Sequence, residues 1–110
     1  MRKSIIALIN LLPLSLFANP LNLNCTALLN YEKLSAAAVT INDMQTNQRW
    51  GEYQQFRFLI SRKANQIELQ LFDGAEPSRT YASSDFKTTN FVELTIWKNE
   101  FLLTLKCQKP

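Results

Sequence analysis

The chain contains no histidine. That absence excludes Ser-His-Asp and Cys-His nucleophilic machinery. It also removes the imidazole ligand on which many zinc sites depend. Glycine is nearly missing, with Gly51 and Gly74 the only two in 110 residues. A phosphate-cradling glycine loop therefore has no counterpart, and the corners are expected to rely on Asn and Asp instead. Cys25 and Cys107 are the only cysteines and lack C-x-x-C spacing, so a catalytic dithiol is not expected. No basic run exceeds Arg62-Lys63, and no apolar run reaches the ~20 residues of a membrane-crossing helix. Internal repeats, low-complexity tracts and signs of a second domain are missing as well.

What is there begins with an export pattern. Arg2 and Lys3 precede an apolar stretch from Ile5 to Phe17, interrupted by Asn10, Pro13 and Ser15 and followed by the small Ala18. This predicts a cleaved signal over residues 1–18 and one domain over 19–110. A membrane anchor would need a longer run without Pro13 and Asn10. A lipid-bearing cysteine would sit at the cleavage point, whereas Cys25 follows Leu23 and Asn24. The expected product is periplasmic or secreted, with no stable membrane anchor. Removing the signal leaves 92 residues (110 − 18), enough for one core. It also leaves ten basic against nine acidic residues, a net of +1, so nucleic acid is not an expected partner.

The two cysteines lie near opposite ends of that domain. In "LNLNCTALL", Leu21, Leu23, Cys25, Ala27 and Leu29 share one face of an extended strand. In "FLLTLKC", Phe101, Leu103, Leu105 and Cys107 do the same. Both sulfurs therefore sit on apolar faces, and an exported chain with two cysteines predicts a Cys25–Cys107 disulfide. The loop it closes, 83 residues (107 − 25 + 1), is worth roughly 4–5 kcal/mol by chain entropy.

Alternation continues between them. "QFRFLIS" turns Phe56, Phe58 and Ile60 one way and Arg57, Leu59 and Ser61 the other. "QIELQLF" alternates Ile67, Leu69 and Leu71 with Gln66, Glu68 and Gln70, and the short polar "RKAN" makes the two a hairpin. Asp73-Gly74 and Pro77 signal a turn before "RTYAS", a short strand. "FVELTIW" sets Val92, Leu94 and Ile96 against Glu93, Thr95 and Trp97. Residues 31–38 are ambiguous: alanine and leucine favour a helical turn, while Val39, Thr40 and Ile41 favour a strand from about Ala37 to Met44. "QTNQRWGEYQ" is expected to be a polar loop. The sum is an all-β domain, a small antiparallel barrel or sandwich of six to seven strands. The disulfide joins its first and last strands, and barrel-like closure is preferred because it removes sheet edges.

Chemistry is sparse. Glu68 and Glu93 occupy solvent-side strand positions, and Asp73 and Glu76 share a turn, so none is marked as a desolvated acid. An enzyme is not expected, and no catalytic residue, metal ligand or cofactor is assigned. "NCT" at Asn24 matches a glycosylation sequon, which has no weight if the signal is bacterial, as its compact basic start suggests. The aromatics are more informative. Phe56, Phe58 and Phe101 are core candidates, while Phe91 and Trp97 oppose the apolar face of their strand. Trp50, Tyr53, Tyr81 and Phe86 sit in or beside loops near Arg49 and Arg79. Large aromatics often plug the ends of a domain, but Trp, Tyr and Arg are also the residues of binding hot spots. Arg49, Trp50, Tyr53, Arg79, Tyr81 and Trp97 are therefore the candidate contact residues. The function expected is a non-enzymatic domain that binds another envelope or secreted protein, of inhibitor, immunity or accessory-subunit type. The alternative is a carrier holding a small apolar ligand in its interior, for which 92 residues leave little room.

Overall fold

The computed structural model describes residues 19–98 and 100–110. The expected signal over residues 1–18 lies outside the described residues. Eight strands run in order: β1 (Leu21–Leu29), β2 (Glu32–Ile41), β3 (Gln48–Tyr53), β4 (Phe56–Lys63), β5 (Gln66–Asp73), β6 (Ser78–Asp85), β7 (Phe91–Lys98) and β8 (Phe101–Gln108). They form two four-stranded antiparallel sheets, sheet I in the order β2-β1-β8-β7 and sheet II in the order β3-β4-β5-β6. The expected barrel closure is not what forms. Pairing stops between β2 and β3 and again between β6 and β7, which leaves a two-sheet stack with two open seams.

The two departures from the expected strands, a β2 that starts earlier and an additional β3, lie in the first half of the chain. Residues 32–41 are one strand, with no helical turn. Pairing of Ala36, Ala37 and Ala38 with Thr26, Cys25 and Asn24 overrides the helix propensity of alanine. The expected polar loop contains β3, so Trp50 and Tyr53 lie on a strand. Hairpin β4–β5 and strands β7 and β8 stand as the alternation predicts.

Inward positions fill the space between the sheets. Leu23, Cys25, Ala27, Val92, Leu94, Leu103, Leu105 and Cys107 come from sheet I, and Phe56, Phe58, Ile60, Ile67, Leu69 and Leu71 from sheet II. Each of the larger ones contributes about 1.5–3 kcal/mol by leaving water. Cys25 stands directly opposite Cys107 across the β1–β8 ladder, and the sulfurs are bonded, with the Cα atoms 4.0 Å apart. The bridge ties neighbours within sheet I and does not cross between the sheets.

The left-handed corner positions manage without glycine. Asn30 and Tyr31 form the two-residue β1–β2 turn with φ of 51° and 69°, the pattern of a type I′ hairpin. The Asn30 side chain also accepts from the Leu102 amide at 2.9 Å, while its own amide donates to the Leu102 carbonyl at 2.8 Å. Met44, Asn47, Gln54 and Ala64 take the other left-handed positions among the described residues, so asparagine supplies two of these six and aspartate none. Gly51 serves packing instead: a Cβ there would lie 2.8 Å from the Phe58 ring.

Candidate functional site

The six candidate contact residues separate into three groups. Trp50 and Tyr53 turn inward. A register shift between Arg49 and Gly51 lets two residues three apart face the same side of β3. Trp50 packs on Phe58 with ring centroids 5.1 Å apart, and Tyr53 meets Phe101 edge-on at 6.5 Å. Trp97 is 76 % exposed but lies on the outer face of sheet I, opposite Leu102. Arg49, Arg79 and Tyr81 are brought together on the outer face of sheet II.

Cross-strand pairing arranges that face in rows, because residues paired in register share a side. One row is Arg49–Leu59–Gln70–Tyr81, and the next is Glu52–Arg57–Phe72–Arg79. Two further rows hold Ser61–Glu68–Ser83 and Lys63–Gln66–Asp85. Strand spacing puts Arg49 and Tyr81 about 14 Å apart across the sheet. Tyr81 is 54 % exposed, and Arg49, Arg57 and Arg79 are exposed too. Arg49 approaches Glu52 at 3.5 Å, a solvated pair of little energetic weight.

At the centre of this outward face sits Gln70, only 4 % exposed. Its Nε2 donates to Glu68 Oε1 at 2.9 Å and to Ser61 Oγ at 3.3 Å. That fixes the amide with its carbonyl turned to Arg79, whose Nη1 donates to Oε1 at 2.9 Å. The Arg79 guanidinium also stands 5.4 Å from the centre of the Phe72 ring. A long surface side chain is thus held at two points. Sequence reasoning found Arg79 and Tyr81 and missed Gln70, Phe72 and Arg57. The available signal was the β4–β5 hairpin register, which pairs Arg57 with Phe72 and Leu59 with Gln70.

The two seams differ. At β6–β7, Lys98 of sheet I forms ion pairs with Asp73 and Glu76 of the β5–β6 corner and lies 5.9 Å from the Phe56 ring centre. The Lys98 ammonium hydrogen-bonded to it holds the Asp73 carboxyl below its ordinary 3.8, overcoming burial, which acts the other way. Hydrogen bonds to Asp73 and then Glu76 hold Lys98 above its ordinary 10.5, again against burial. A cleft of about 240 Å³ opens beside this clasp, bordered by Leu71, Ser78, Thr80 and Ile96. At β2–β3, Gln48 Nε2 donates to the Thr40 carbonyl at 3.3 Å, and Arg62 Nη1 of β4 reaches over to donate to the Ile41 carbonyl at 3.0 Å. Ser35 Oγ, Gln48 Oε1 and the Trp50 indole N–H are buried there without a partner among the described residues. A second cleft, about 260 Å³, opens over Ser61, Lys63, Gln66, Glu68 and Ser83 on the outer face of sheet II. Both clefts open to solvent, whereas Phe56, Phe58, Ile60, Ile67, Leu69, Leu103 and Leu105 occupy the interior.

Among the described residues no group of three or more Cys, Asp or Glu is arranged to hold a metal, and no helix is long and apolar enough to cross a membrane. Comparison with protein families, with curated proteins and with solved structures gave no match.

Proposed function

We propose that this chain is an exported, non-enzymatic domain that binds another protein of the envelope or outside the cell, with the outer face of sheet II as its contact surface. A role of inhibitor, immunity or accessory-subunit type fits that description. A disulfide in the core is compatible with an oxidising compartment. The observation that carries the reading is the anchorage of Arg79 by Gln70 and Phe72, next to the exposed Tyr81. Binding costs the freedom of every side chain it immobilises, so an arginine ordered beforehand makes the contact tighter. Arginine and tyrosine on a rigid sheet are also the chemistry of binding hot spots.

The test places a photo-crosslinking side chain at Tyr81 in the exported protein and identifies what it captures. Binding of the captured protein is then measured for Arg79→Ala and Trp97→Ala. The reading expects weaker binding for the first and unchanged binding for the second. Equal affinity of Arg79→Ala and the parent, or capture of nothing at Tyr81, would remove this face from the contact.

A further inference from the structure

The outer face of sheet II divides its charges. The rows Arg49–Leu59–Gln70–Tyr81 and Glu52–Arg57–Phe72–Arg79 hold three arginines and one glutamate, a net of +2 (3 − 1). The other two rows hold Lys63, Glu68 and Asp85, a net of −1 (1 − 2). Within the positive half, Arg57 and Arg79 flank Phe72 on either side, with backbones about 10 Å apart. Leu59 and Tyr81 lie diagonally beyond them.

We infer that the occupant of this face is an acidic protein surface, whose carboxylates pair with Arg79 and Arg57 around an apolar contact on Phe72, and that Gln70 is the positioning residue for Arg79. This rests on the reading that the face binds protein. Gln70 is buried on the solvent side of a sheet, where a glutamine is normally free in water. Its amide hydrogens go to Ser61 and Glu68, so its carbonyl has one orientation and takes one Arg79 N–H. Four of the five guanidinium N–H donors stay available, in the planar fork that matches a carboxylate.

Charge segregation selects a folded acidic partner over a linear polyanion. A phosphate or sulfate polymer laid across the face would run from the arginines onto Glu68 and Asp85. A folded surface sets carboxylates against the first two rows and cations against the last two. Like-charge contact on either half disfavours wrong partners.

The probe is a poly-L-glutamate of about four residues, short enough to stay on the two arginine rows, titrated into the isotope-labelled exported domain at low salt, with a longer heparin fragment as the competing polyanion. Poly-L-glutamate should saturably shift the amide signals of Phe72, Arg79 and Tyr81. Arg79→Ala should weaken that binding roughly tenfold, and Arg79→Lys should not restore it, since lysine lacks the fork. In the free protein the Nη1–H of Arg79 that donates to Gln70 should give a separate, slowly exchanging signal that Gln70→Leu abolishes while the backbone spectrum stays dispersed. Shifts centred on Lys33 and Lys106 of sheet I would overturn the inference. So would tighter binding of the heparin fragment at this face, equal affinity of Arg79→Ala and the parent, or an Arg79 signal unaffected by Gln70→Leu. Capture of a protein at Tyr81 with no response to poly-L-glutamate would refute the acidic partner and leave the protein-binding reading standing.

Discussion

Sheet I is assembled from the two ends of the chain, and sheet II from its uninterrupted middle. In sheet II each strand pairs with the next, from Gln48 to Asp85, through short corners. Sheet I depends on β1 finding β8 some eighty residues later, and there the chain places its one covalent bridge. The lesson concerns loop closure. Local meanders close cheaply, while a long-range pairing loses chain entropy before its contacts repay it, and a disulfide removes that loss from the unfolded state.

Breaking the bridge is the harshest way to probe this contrast. The double variant Cys25→Ala with Cys107→Ala should lose about 3–5 kcal/mol in denaturant titration. Amide exchange should rise in β1 and β8 before β4 and β5; loss spread evenly over both sheets would show that they are not separable. Gly51→Ala reverses the target, pushing a methyl group towards the Phe58 ring in the local sheet. It should cost about 1–3 kcal/mol, read as a lower midpoint with an unchanged disulfide.

The Lys98–Asp73 clasp joins the two sheets, so pH tests their union. Asp73 titrates below its ordinary 3.8 in the folded protein, so its contribution is present above that value and lost as pH falls through the lower folded value. Lys98 titrates above 10.5, so its contribution is present below that value and lost as pH rises through the higher folded value. Thermal midpoints should therefore fall at both extremes, and Lys98→Met should flatten the acid limb; an unaltered acid limb would count against the clasp. The gentlest change is Ala64→Gly in the β4–β5 corner, where φ is 55°. Relief of the left-handed alanine should raise stability by about 0.5–1 kcal/mol, seen as a higher denaturant midpoint.

The same division explains what could be read in advance. β4, β5, β7 and β8 announce themselves because every second residue is apolar and turned inward, even though Leu59, Phe72, Trp97 and Leu102 break the polar outer side, and both cysteines fall in phase with that period. β3 hides because its bulge puts Trp50 and Tyr53 three apart, which spoils a period of two. β2 hides because three consecutive alanines carry helix propensity that only a paired neighbour overrules. Closure was beyond reach, since it depends on whether β2 meets β3 and β6 meets β7, and no local pattern records that two edges stay apart. Arg49, Arg79 and Tyr81 stood out by residue type. Gln70 did not, because an outward glutamine gives no sign of burial until its neighbours on β4 and β6 are known.

The register that sets Asn24 beside Gln108 brings the first and last described strands side by side. Around the domain the strands follow one another in a ring, so the point at which synthesis starts is arbitrary to the fold. A circularly permuted version, with Pro110 linked to Asn19 and the break moved to Gln54–Gln55, would convert the distant pairing into a hairpin. It would keep every ladder except the turn that was cut, and it would no longer depend on sulfur to hold its opening strand in place.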